Sequence, residues 1–244
     1  RELPPPRPGP GEVVVDTEAI PVLFVETQLR AGVLPGAAMS GVFGAQAAGV
    51  VSDIGDGVDR TLIGRRVLVS GQGIGTYAEK VCAGVAAIVP IPDGVSASGA
   101  AATTMGGSVA LALANRAASG AADTVLIEAA GTGIGNYLTQ ILRRRGVGRI
   151  LATAGSAANR ASARAAGADE VFDHRSDEWP ADLGAVLGDD TIDVVFDSIG
   201  GDTTRGLTAL LTGRILFYGL LSGRPPQLSP ADLMGGGTSI TACA

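Results

Sequence analysis

The sequence has few of the residues that build metal centres or disulfide frameworks. Its 244 residues include one histidine, His174, and two cysteines, Cys82 and Cys243, which are far apart in the chain. A catalytic zinc site usually takes three protein ligands, mostly histidine and cysteine, and the two cysteines have no spacing typical of a zinc site, so we expect no metal. Because neither cysteine belongs to a pairing pattern typical of secreted proteins, we expect a cytoplasmic location.

Lysine and net positive charge are scarce as well. Lys80 is the only lysine, and the formal net charge is -6 at pH 7. Proteins that bind nucleic acid normally carry a basic stripe, so we expect no nucleic acid partner. No uninterrupted apolar run reaches the roughly 18 residues that suggest a membrane span. The partner that we expect is therefore a small molecule.

The first part of the chain has the pattern of an all-β module. Short β-branched runs over 12–19, 47–55, 65–71 and 87–92 are separated by clusters of glycine, proline and aspartate, which are typical of tight turns. We predict a small barrel-like domain that ends near Pro90, Pro92 and Gly94. The alanine-rich segment 96–118 that follows predicts a helix.

After Asp123 the pattern changes to apolar strands that alternate with helical segments. Strands are predicted over 125–129, 149–153, 170–172, 192–197 and 214–218, with a further strand over 239–242. Helices are predicted over 135–145, 157–166, 182–187 and 203–211. This alternation is typical of a doubly wound parallel sheet. We predict an α/β protein with one domain over 1–104 and a second over 105–244.

A glycine-rich turn follows the first strand of the second domain, in the order Gly131, Thr132, Gly133, Ile134 and Gly135. Backbone N–H groups at a helix N-terminus bind phosphate because partial positive charge collects there. We predict that this turn holds the pyrophosphate of a dinucleotide, with Gly133 closest to the ligand and Gly135 packing the helix on the sheet. A purely structural tight turn is the alternative.

The segment after the turn contains no acidic residue from Ala129 through Ala168. Sites for NAD commonly place an aspartate or glutamate about 20 residues after the turn, where it binds the ribose. Hydroxyl, amide and guanidinium groups occur there instead and can donate to a phosphate. Ser156, Asn159 and Arg160 are therefore candidates to hold a 2′-phosphate. The alternative is that the arginines of this segment only solvate the surface.

Several motifs follow one another in a recognisable order: GPGEVVV, AAGVVSDIGDGV, GRRVLV, GTYAEKV, the glycine turn, VVFDSIGG and GRILFYGLLSG. This order resembles the medium-chain dehydrogenase/reductase superfamily, in particular its zinc-independent quinone oxidoreductase-like branch. The resemblance spans essentially the whole chain. It implies a GroES-like β-barrel domain, a Rossmann domain, NADPH as the hydride donor, and a quinone or a conjugated enone or enoyl group as the substrate.

The resemblance also implies where the cofactor is held. Besides the glycine turn and Ser156, it implies contacts from residues at the ends of later strands, which are His174, Ser198, Ile199, Gly200, Phe217, Tyr218 and Gly219. Relatives normally continue beyond the last strand and complete the catalytic domain, so we expect part of that domain to lie outside this sequence. If 239–242 forms an edge strand, pairing with a second copy would give a homodimer.

The expected substrate pocket departs from the pattern of the relatives. Leu23 stands where many relatives have asparagine, Gln46 replaces a common glutamate, and Val109 replaces a frequent threonine. Together with Met105, these residues are the candidates for the pocket, and no catalytic proton donor can be named. Two alternatives stay open, which are a scaffold that binds NADPH without turnover and a tailoring reductase with a bulky apolar substrate.

Two other classes of protein with a glycine turn fit less well. A methyltransferase needs an acidic residue at the end of the next strand, where this chain has Ala154, Gly155 and Ser156. A short-chain dehydrogenase uses a tyrosine and a lysine four residues apart, and no tyrosine here has a lysine at that spacing.

Overall fold

The computed structural model describes residues 3–33, 41–71, 75–234 and 237–243. The chain divides into two compact units, Arg1–Met105 and Gly106–Ala244. Each is described by itself below. The predicted division of the chain into domains at residues 104 and 105 remains a prediction.

The first unit is built around a curled antiparallel sheet of five strands. These are β1 (Glu12–Ala19), β2 (Gln46–Ile54), β3 (Arg66–Ser70), β4 (Lys80–Gly84) and β5 (Ile88–Pro90), and their order in the sheet is β4-β1-β2-β3-β5. Helix α1 (Phe24–Arg30) lies between β1 and β2 in the chain. The predicted GroES-like β domain is confirmed, in the form of a half-barrel, whereas α1 and β4 were not predicted.

Alternation of buried and exposed residues explains this sheet. Side chains at every second position of a strand point to the same face, and the inward positions are almost all valine. These buried residues are Val13, Val15, Val51, Val67, Val69, Val81 and Ala83. β-branched side chains favour strands because their restricted χ1 angle fits a pleated surface.

Helix α2 (Ala97–Ala117) follows the half-barrel. Its first turns bury Ala97 and Ala101 in a cluster of the first unit, and its later turns bury Ala110, Leu113 and Ala114 in a cluster of the second. By length and composition alone, α2 is also long and apolar enough to cross a membrane. The sequence analysis expected no such segment because glycine, serine and threonine interrupt the apolar run, although alanine keeps the mean hydropathy high.

The second unit contains a parallel sheet of six strands. These are β6 (Thr124–Ile127), β7 (Arg149–Thr153), β8 (Glu170–Phe172), β9 (Ile192–Asp197), β10 (Leu211–Phe217) and β11 (Ser239–Ala242), in the order β11-β10-β9-β6-β7-β8. The direction of winding reverses between β6 and β9, which are neighbours in the sheet. In open parallel sheets, ligands bind outside the carboxyl ends of the strands at such a switch point.

Helices cover both faces of this sheet. They are α3 (Gly133–Arg144), α4 (Ala157–Ala166), α5 (Trp179–Leu187), α6 (Thr203–Leu207) and α7 (Pro230–Met234). One core joins α2, α3 and α4 to the face of the sheet that carries Ile127 and Phe196. The other joins α5 and the Leu207 end of α6 to the face that carries Leu126 and Val195. The predicted Rossmann fold is confirmed.

The segment between α6 and β10 differs from its prediction. The helix predicted over 203–211 ends at Leu207 and continues only as a short 3-10 turn, and β10 starts at Leu211 rather than at Arg214. The register of β10 against β9 is irregular between Leu211 and Arg214. Gly213 lies at this irregularity, where the two strands approach so closely that a side chain has no room.

A Gly213→Ala variant is expected to lose stability. A Cβ at this position would overlap the carbonyl oxygen of Asp193 in β9, and overpacking typically costs about 1–3 kcal/mol. Gly206→Ala in α6 is the matched control, because a Cβ there meets nothing within 4 Å and alanine favours a helix. Urea unfolding measures the free energy of unfolding of both variants. Equal values for the two would contradict the expected clash.

Candidate functional site

The glycine turn joins β6 to α3 at the switch point of the parallel sheet. Thr132 is the N-cap of α3 without a side-chain cap, the first turn of the helix has no acidic residue, and Gly133 adopts a φ of 54°. A Cβ on Gly133 would meet no protein atom within 4 Å. The N-terminus of α3 therefore offers unpaired N–H groups and room for an anion.

Two other glycines of the turn are required by close packing. A Cβ on Gly131 would lie 2.7 Å from the carbonyl oxygen of Asn159 in α4, and one on Gly135 would lie 2.8 Å from the carbonyl oxygen of Ala129. Gly131 thus packs the turn on α4. Gly135 packs the first turn of α3 on Ala129 and Ala130, which follow β6 and belong to the turn rather than to the sheet.

At the end of β7, Ser156 forms the N-cap of α4. Its Oγ accepts a hydrogen bond from the backbone N–H of Asn159 at 3.1 Å, so its hydroxyl proton is still able to donate. A Cβ on the neighbouring Gly155 would lie 2.6 Å from Nε2 of His174 and 2.8 Å from Nε of Arg175. An imidazole and a guanidinium thus lie where an NAD site commonly has a carboxylate.

The structure separates the roles of the arginines near Ser156. Arg160 forms an ion pair with Asp173, with 2.5 Å between Nη1 and Oδ2. The backbone N–H of Arg175 and then Arg160 lower the pKa of Asp173, which keeps this carboxyl ionised. Arg175 is exposed and extends over Gly155, and the sequence analysis missed it. Its position directly after His174 was the available signal.

His174 is held between the ends of β7 and β8. Its Nδ1 lies 3.2 Å from Oγ1 of Thr153, and the same Oγ1 accepts the N–H of Ala129 at 3.1 Å. Burial lowers the pKa of His174, so the neutral ring is favoured at physiological pH. The hydroxyl of Thr153 can then donate to Nδ1, which links the glycine turn to His174.

A cleft of about 230 Å³ opens at the carboxyl ends of the strands. It is lined by residues that follow three different strands, which are His174, Ile199, Thr203, Leu221 and Ser222. Two of the residues predicted for a cofactor, His174 and Ile199, are therefore brought to one cleft. Its size suits part of a nucleotide rather than an entire dinucleotide.

The loop after β9 is held by a buried carboxyl group. Asp197 accepts the N–H groups of Ile199 and Gly200, each at 2.8 Å, and the hydroxyl of Thr204 at 2.5 Å. The Oγ of Ser198 donates to the carbonyl oxygen of Glu128 at 3.3 Å. These bonds connect the loop after β9 with the chain that leads into the glycine turn.

The residues predicted at the end of β10 lie next to that loop. A Cβ on Gly219 would come within 2.7 Å of the carbonyl oxygen of Ser198, and one on Gly200 within 3.3 Å of the Phe217 ring. Burial raises the pKa of Tyr218, so its hydroxyl stays protonated. The structure therefore brings the predicted residues after β9 and β10 together.

In the first unit, the predicted pocket residues Leu23 and Gln46 lie near a buried carboxylate that the sequence analysis missed. Glu26, which is 5% exposed, accepts the N–H of Leu23 at 3.2 Å and that of Ala45 at 2.8 Å. It also accepts the hydroxyl of Tyr77 at 2.8 Å. Glu26 thus fixes three separate segments.

The remaining pocket candidates have ordinary packing partners. The Nε2 of Gln46 donates to Oγ of Ser70 at 3.0 Å. Val109 packs against the core of the second unit, and Met105 lies in α2, partly buried. A cleft of about 440 Å³ in the first unit includes none of these candidates, since it is lined by Thr17, Glu18, Ala19, Ile20, Tyr77, Ala78 and Glu79.

Within the described ranges, no group of three or more histidine, cysteine, aspartate or glutamate side chains is placed to hold a metal ion. Cys82 lies beside Glu12, with 3.2 Å between Sγ and Oε2. Burial and then Glu12 raise the pKa of the Cys82 thiol to about 11. A thiol with that pKa is a poor thiolate ligand or nucleophile at neutral pH.

Two family models match the chain. Residues 9–93 match the alcohol dehydrogenase GroES-like domain, and residues 133–244 match the family described as zinc-binding dehydrogenase. The first range corresponds to the half-barrel sheet, and the second begins at Gly133 inside the glycine turn and includes every strand of the parallel sheet except β6.

The chain is also similar in sequence and in structure to individual quinone oxidoreductases. The quinone oxidoreductase of Salmonella typhimurium is 31% identical over 227 residues, which cover 91% of this chain and 68% of the relative. The structure of Escherichia coli quinone oxidoreductase complexed with NADPH is 28% identical with a TM-score of 0.90, and a mycobacterial protein complexed with NADPH is 30% identical with a TM-score of 0.88. Both alignments cover 100% of this chain and 76% of the other.

A Glu26→Gln variant tests whether the buried carboxylate of Glu26 holds Leu23, Ala45 and Tyr77 together. Burial and then the hydrogen bond to Glu26 raise the pKa of Tyr77 to about 12, so the neutral amide should lower that pKa toward its ordinary value. Losing charged hydrogen bonds should also cost about 1–3 kcal/mol of unfolding free energy. Tyrosinate absorbance against pH measures the first effect and urea unfolding the second.

The control is Asp93→Asn, which removes the same charge from an exposed position of the first unit outside the cleft that Tyr77 lines. It should change neither measurement. If the tyrosine titration of Glu26→Gln matched that of the control, the assigned role of Glu26 would be wrong.

Proposed function

We propose that this chain, which belongs to the quinone oxidoreductase family of medium-chain dehydrogenases and reductases, uses NADPH to reduce a quinone or a conjugated enone or enoyl substrate without zinc. The observation that carries the proposal is the junction of the glycine turn with the basic end of β7. There the N-terminus of α3 can bind one anionic group, and Ser156 with Arg175 can bind another.

The pyrophosphate is proposed to bind at the glycine turn. Gly131, Thr132, Gly133, Ile134 and Gly135 present backbone rather than long side chains, and the left-handed Gly133 leaves open space in front of the helix. A negative charge is stabilised there by the partial positive charge of the helix end. The absence of an acidic residue in the first turn of α3 removes the repulsion that would oppose it.

The 2′-phosphate is proposed to bind at Ser156, His174 and Arg175. The hydroxyl and guanidinium donate charge-assisted hydrogen bonds to phosphate oxygens. Arg160 has its guanidinium engaged by Asp173, so we assign it to holding the chain that carries His174 and Arg175. Asn159 supports the site through its packing against Gly131.

The rest of the dinucleotide is proposed to occupy the space beside the loops after β9 and β10. The cleft at Ile199 suits the adenosine end, and we propose that Ser198, Gly200, Phe217, Tyr218 and Gly219 contact the rest of the molecule. NADPH supplies the hydride when bound. The residues of this chain bind and orient it, and their fixed hydrogen bonds reduce the entropy lost on binding.

On the strength of the sequence resemblance, Leu23 and Gln46 in the first unit and Met105 and Val109 in α2 are each proposed to contact the substrate. Leu and Val side chains have no exchangeable proton, and the amide of Gln46 is engaged by Ser70. We therefore propose that water protonates the reduced product.

Cys82 in β4, His174 after β8 and Cys243 after β11 belong to three different elements, and no group of three or more metal-binding side chains is assembled among the described residues, which supports a reaction that takes no zinc. We also propose a homodimer that pairs the edge strand β11 with that of a second copy.

An Arg175→Gln variant should weaken NADPH binding selectively. Loss of a charged hydrogen bond costs about 1.5–3 kcal/mol, so the Kd for NADPH should rise roughly tenfold or more, while the Kd for NADH should stay unchanged. Isothermal titration of both nucleotides measures this. The control is Arg144→Gln, which removes an exposed charge from the last turn of α3. An equal loss for both nucleotides, or tighter NADH binding by the unmodified chain, would contradict the 2′-phosphate site.

Turnover is tested with a panel of quinones and conjugated enones. NADPH oxidation, followed by the absorbance of the reduced nicotinamide, is expected with at least one class. Gly133→Asp should reduce both NADPH affinity and oxidation at least roughly tenfold, because it strains a positive φ and puts a carboxylate at the phosphate position. Gly206→Ala should change neither. Tight NADPH binding without oxidation of any member would instead favour the scaffold.

A further inference from the structure

Two fully buried carboxyl groups lie side by side at the switch point. Glu128 follows β6 and Asp197 ends β9, and both side chains are 0% exposed. Ile127 pairs with Phe196 in the parallel register, and the N–H of Glu128 donates to the carbonyl oxygen of Phe196 at 3.1 Å. Glu128 and Asp197 are thus the next positions on adjacent strands, and their side chains leave the same face of the sheet.

The two groups differ in their hydrogen bonds. Asp197 accepts three donors, from Ile199, Gly200 and Thr204. No donor among the described residues bonds to either carboxyl oxygen of Glu128, and Asp197, which is itself an acceptor, can bond to Glu128 only when a proton lies between them. A buried carboxylate is stable only when donors or a positive charge compensate it, so the anion belongs to Asp197 and the neutral acid to Glu128. Burial and then the Asp197 charge raise the pKa of Glu128 well above its ordinary value.

The surrounding titratable groups do not compensate Glu128. Tyr218, after β10, is kept protonated because burial raises its pKa, and His174, after β8, is kept neutral because burial lowers its pKa. The charged groups of the helices on this side have exposed positions or partners of their own, which are Asp182 on α5 and Arg205 of α6 with Asp232. On the opposite face, Arg160 of α4 is engaged by Asp173.

We propose that Glu128 and Asp197 share one proton and that Glu128 is a positioning residue for dinucleotide binding, joining the start of the glycine turn to the loop after β9. This role rests on the proposed function. A carboxylate has about four acceptor sites, and three of those on Asp197 are occupied. The proton of Glu128 takes the remaining one, so the loop that carries Ile199 and Gly200 is tied to the chain that leads to Gly131.

Loss of this proton has two consequences for a bound dinucleotide. It removes one link between the two loops, leaving the bond from Ser198 to the carbonyl oxygen of Glu128, and it places two negative charges in a buried position near the phosphate-binding turn. Both effects weaken the binding of a molecule that carries several phosphate charges. The affinity for NADPH therefore falls as pH rises through the folded-state pKa of Glu128.

Glu128→Gln separates the proton from the shape of the side chain. The amide has nearly the same size, stays neutral at every pH and still donates to Asp197, whereas Glu128→Leu is neutral but cannot donate. We expect Glu128→Gln to bind NADPH as the unmodified chain does at low pH and to keep that affinity at high pH. Glu128→Leu should bind about fivefold more weakly or worse at every pH. If Leu matched Gln, or if Gln followed the pH profile of the unmodified chain, the positioning role would be wrong.

The shared proton is also measured without nucleotide. The folded state keeps a proton that the unfolded chain releases above the ordinary glutamate pKa, so the unfolding free energy falls as pH rises toward the folded pKa. The Tm of Glu128→Gln minus that of the unmodified chain should therefore grow with pH. The unmodified chain should also show the infrared carbonyl band of a protonated carboxylic acid, and the variant should lack it.

The two readouts distinguish the hypotheses. A protonated-acid band in a protein that binds no NADPH would reject the proposed function and the positioning role, while the carboxyl pair itself would stand. If the band were missing from the unmodified chain at neutral pH, with no difference in the pH dependence of Tm, the shared proton would be rejected whatever the nucleotide affinity.

Discussion

Close packing of the backbone at the glycine turn is the constraint on which the second unit depends. Gly131 meets the backbone of Asn159, and Gly135 meets that of Ala129, at distances that leave no space for a Cβ. These contacts bring α3 and α4 against the ends of β6 and β7. The helix N-terminus, the hydroxyl of Ser156 and the side chains after β8 consequently lie around one edge of the sheet, where a charged ligand can reach all of them.

At this edge of the sheet, the groups that can bind an anion are exposed and the carboxyl groups are buried. Groups that can donate to phosphate, such as Arg175 and the first N–H groups of α3, lie on its outer side, whereas the carboxyl groups of Glu128 and Asp197 are enclosed behind it. Asp197 uses its charge to hold backbone N–H groups of the loop after β9. A second buried charge at Glu128 would oppose both the fold and an anionic ligand, which is why its neutral form matters.

The first unit has a buried carboxylate that holds the segments around the proposed substrate pocket. Glu26 connects Leu23, Ala45 and Tyr77 through hydrogen bonds, so the segments stay in place although Leu23 itself is apolar. Membership of the quinone oxidoreductase family makes the chain an oxidoreductase, and we propose that the apolar side chains of Leu23 and Val109 bear on which substrate it accepts. Orientation of a reactive cofactor requires rigid segments more than it requires an acid or base.

Patterns that are local in the chain could be predicted from the sequence, and contacts between distant segments could not. Strands 149–153, 170–172 and 192–197 and the helix 157–166 have their predicted bounds, because hydrophobic periodicity and capping act over a few residues. The glycine turn was recognisable for the same reason. Which arginine is free near Ser156 was decided only when β8 brought Asp173 to Arg160 and placed Arg175 over Gly155. Likewise, the protonation state of Glu128 could not be predicted from the sequence, because its burial beside Asp197 and its lack of donors are properties of the folded sheet.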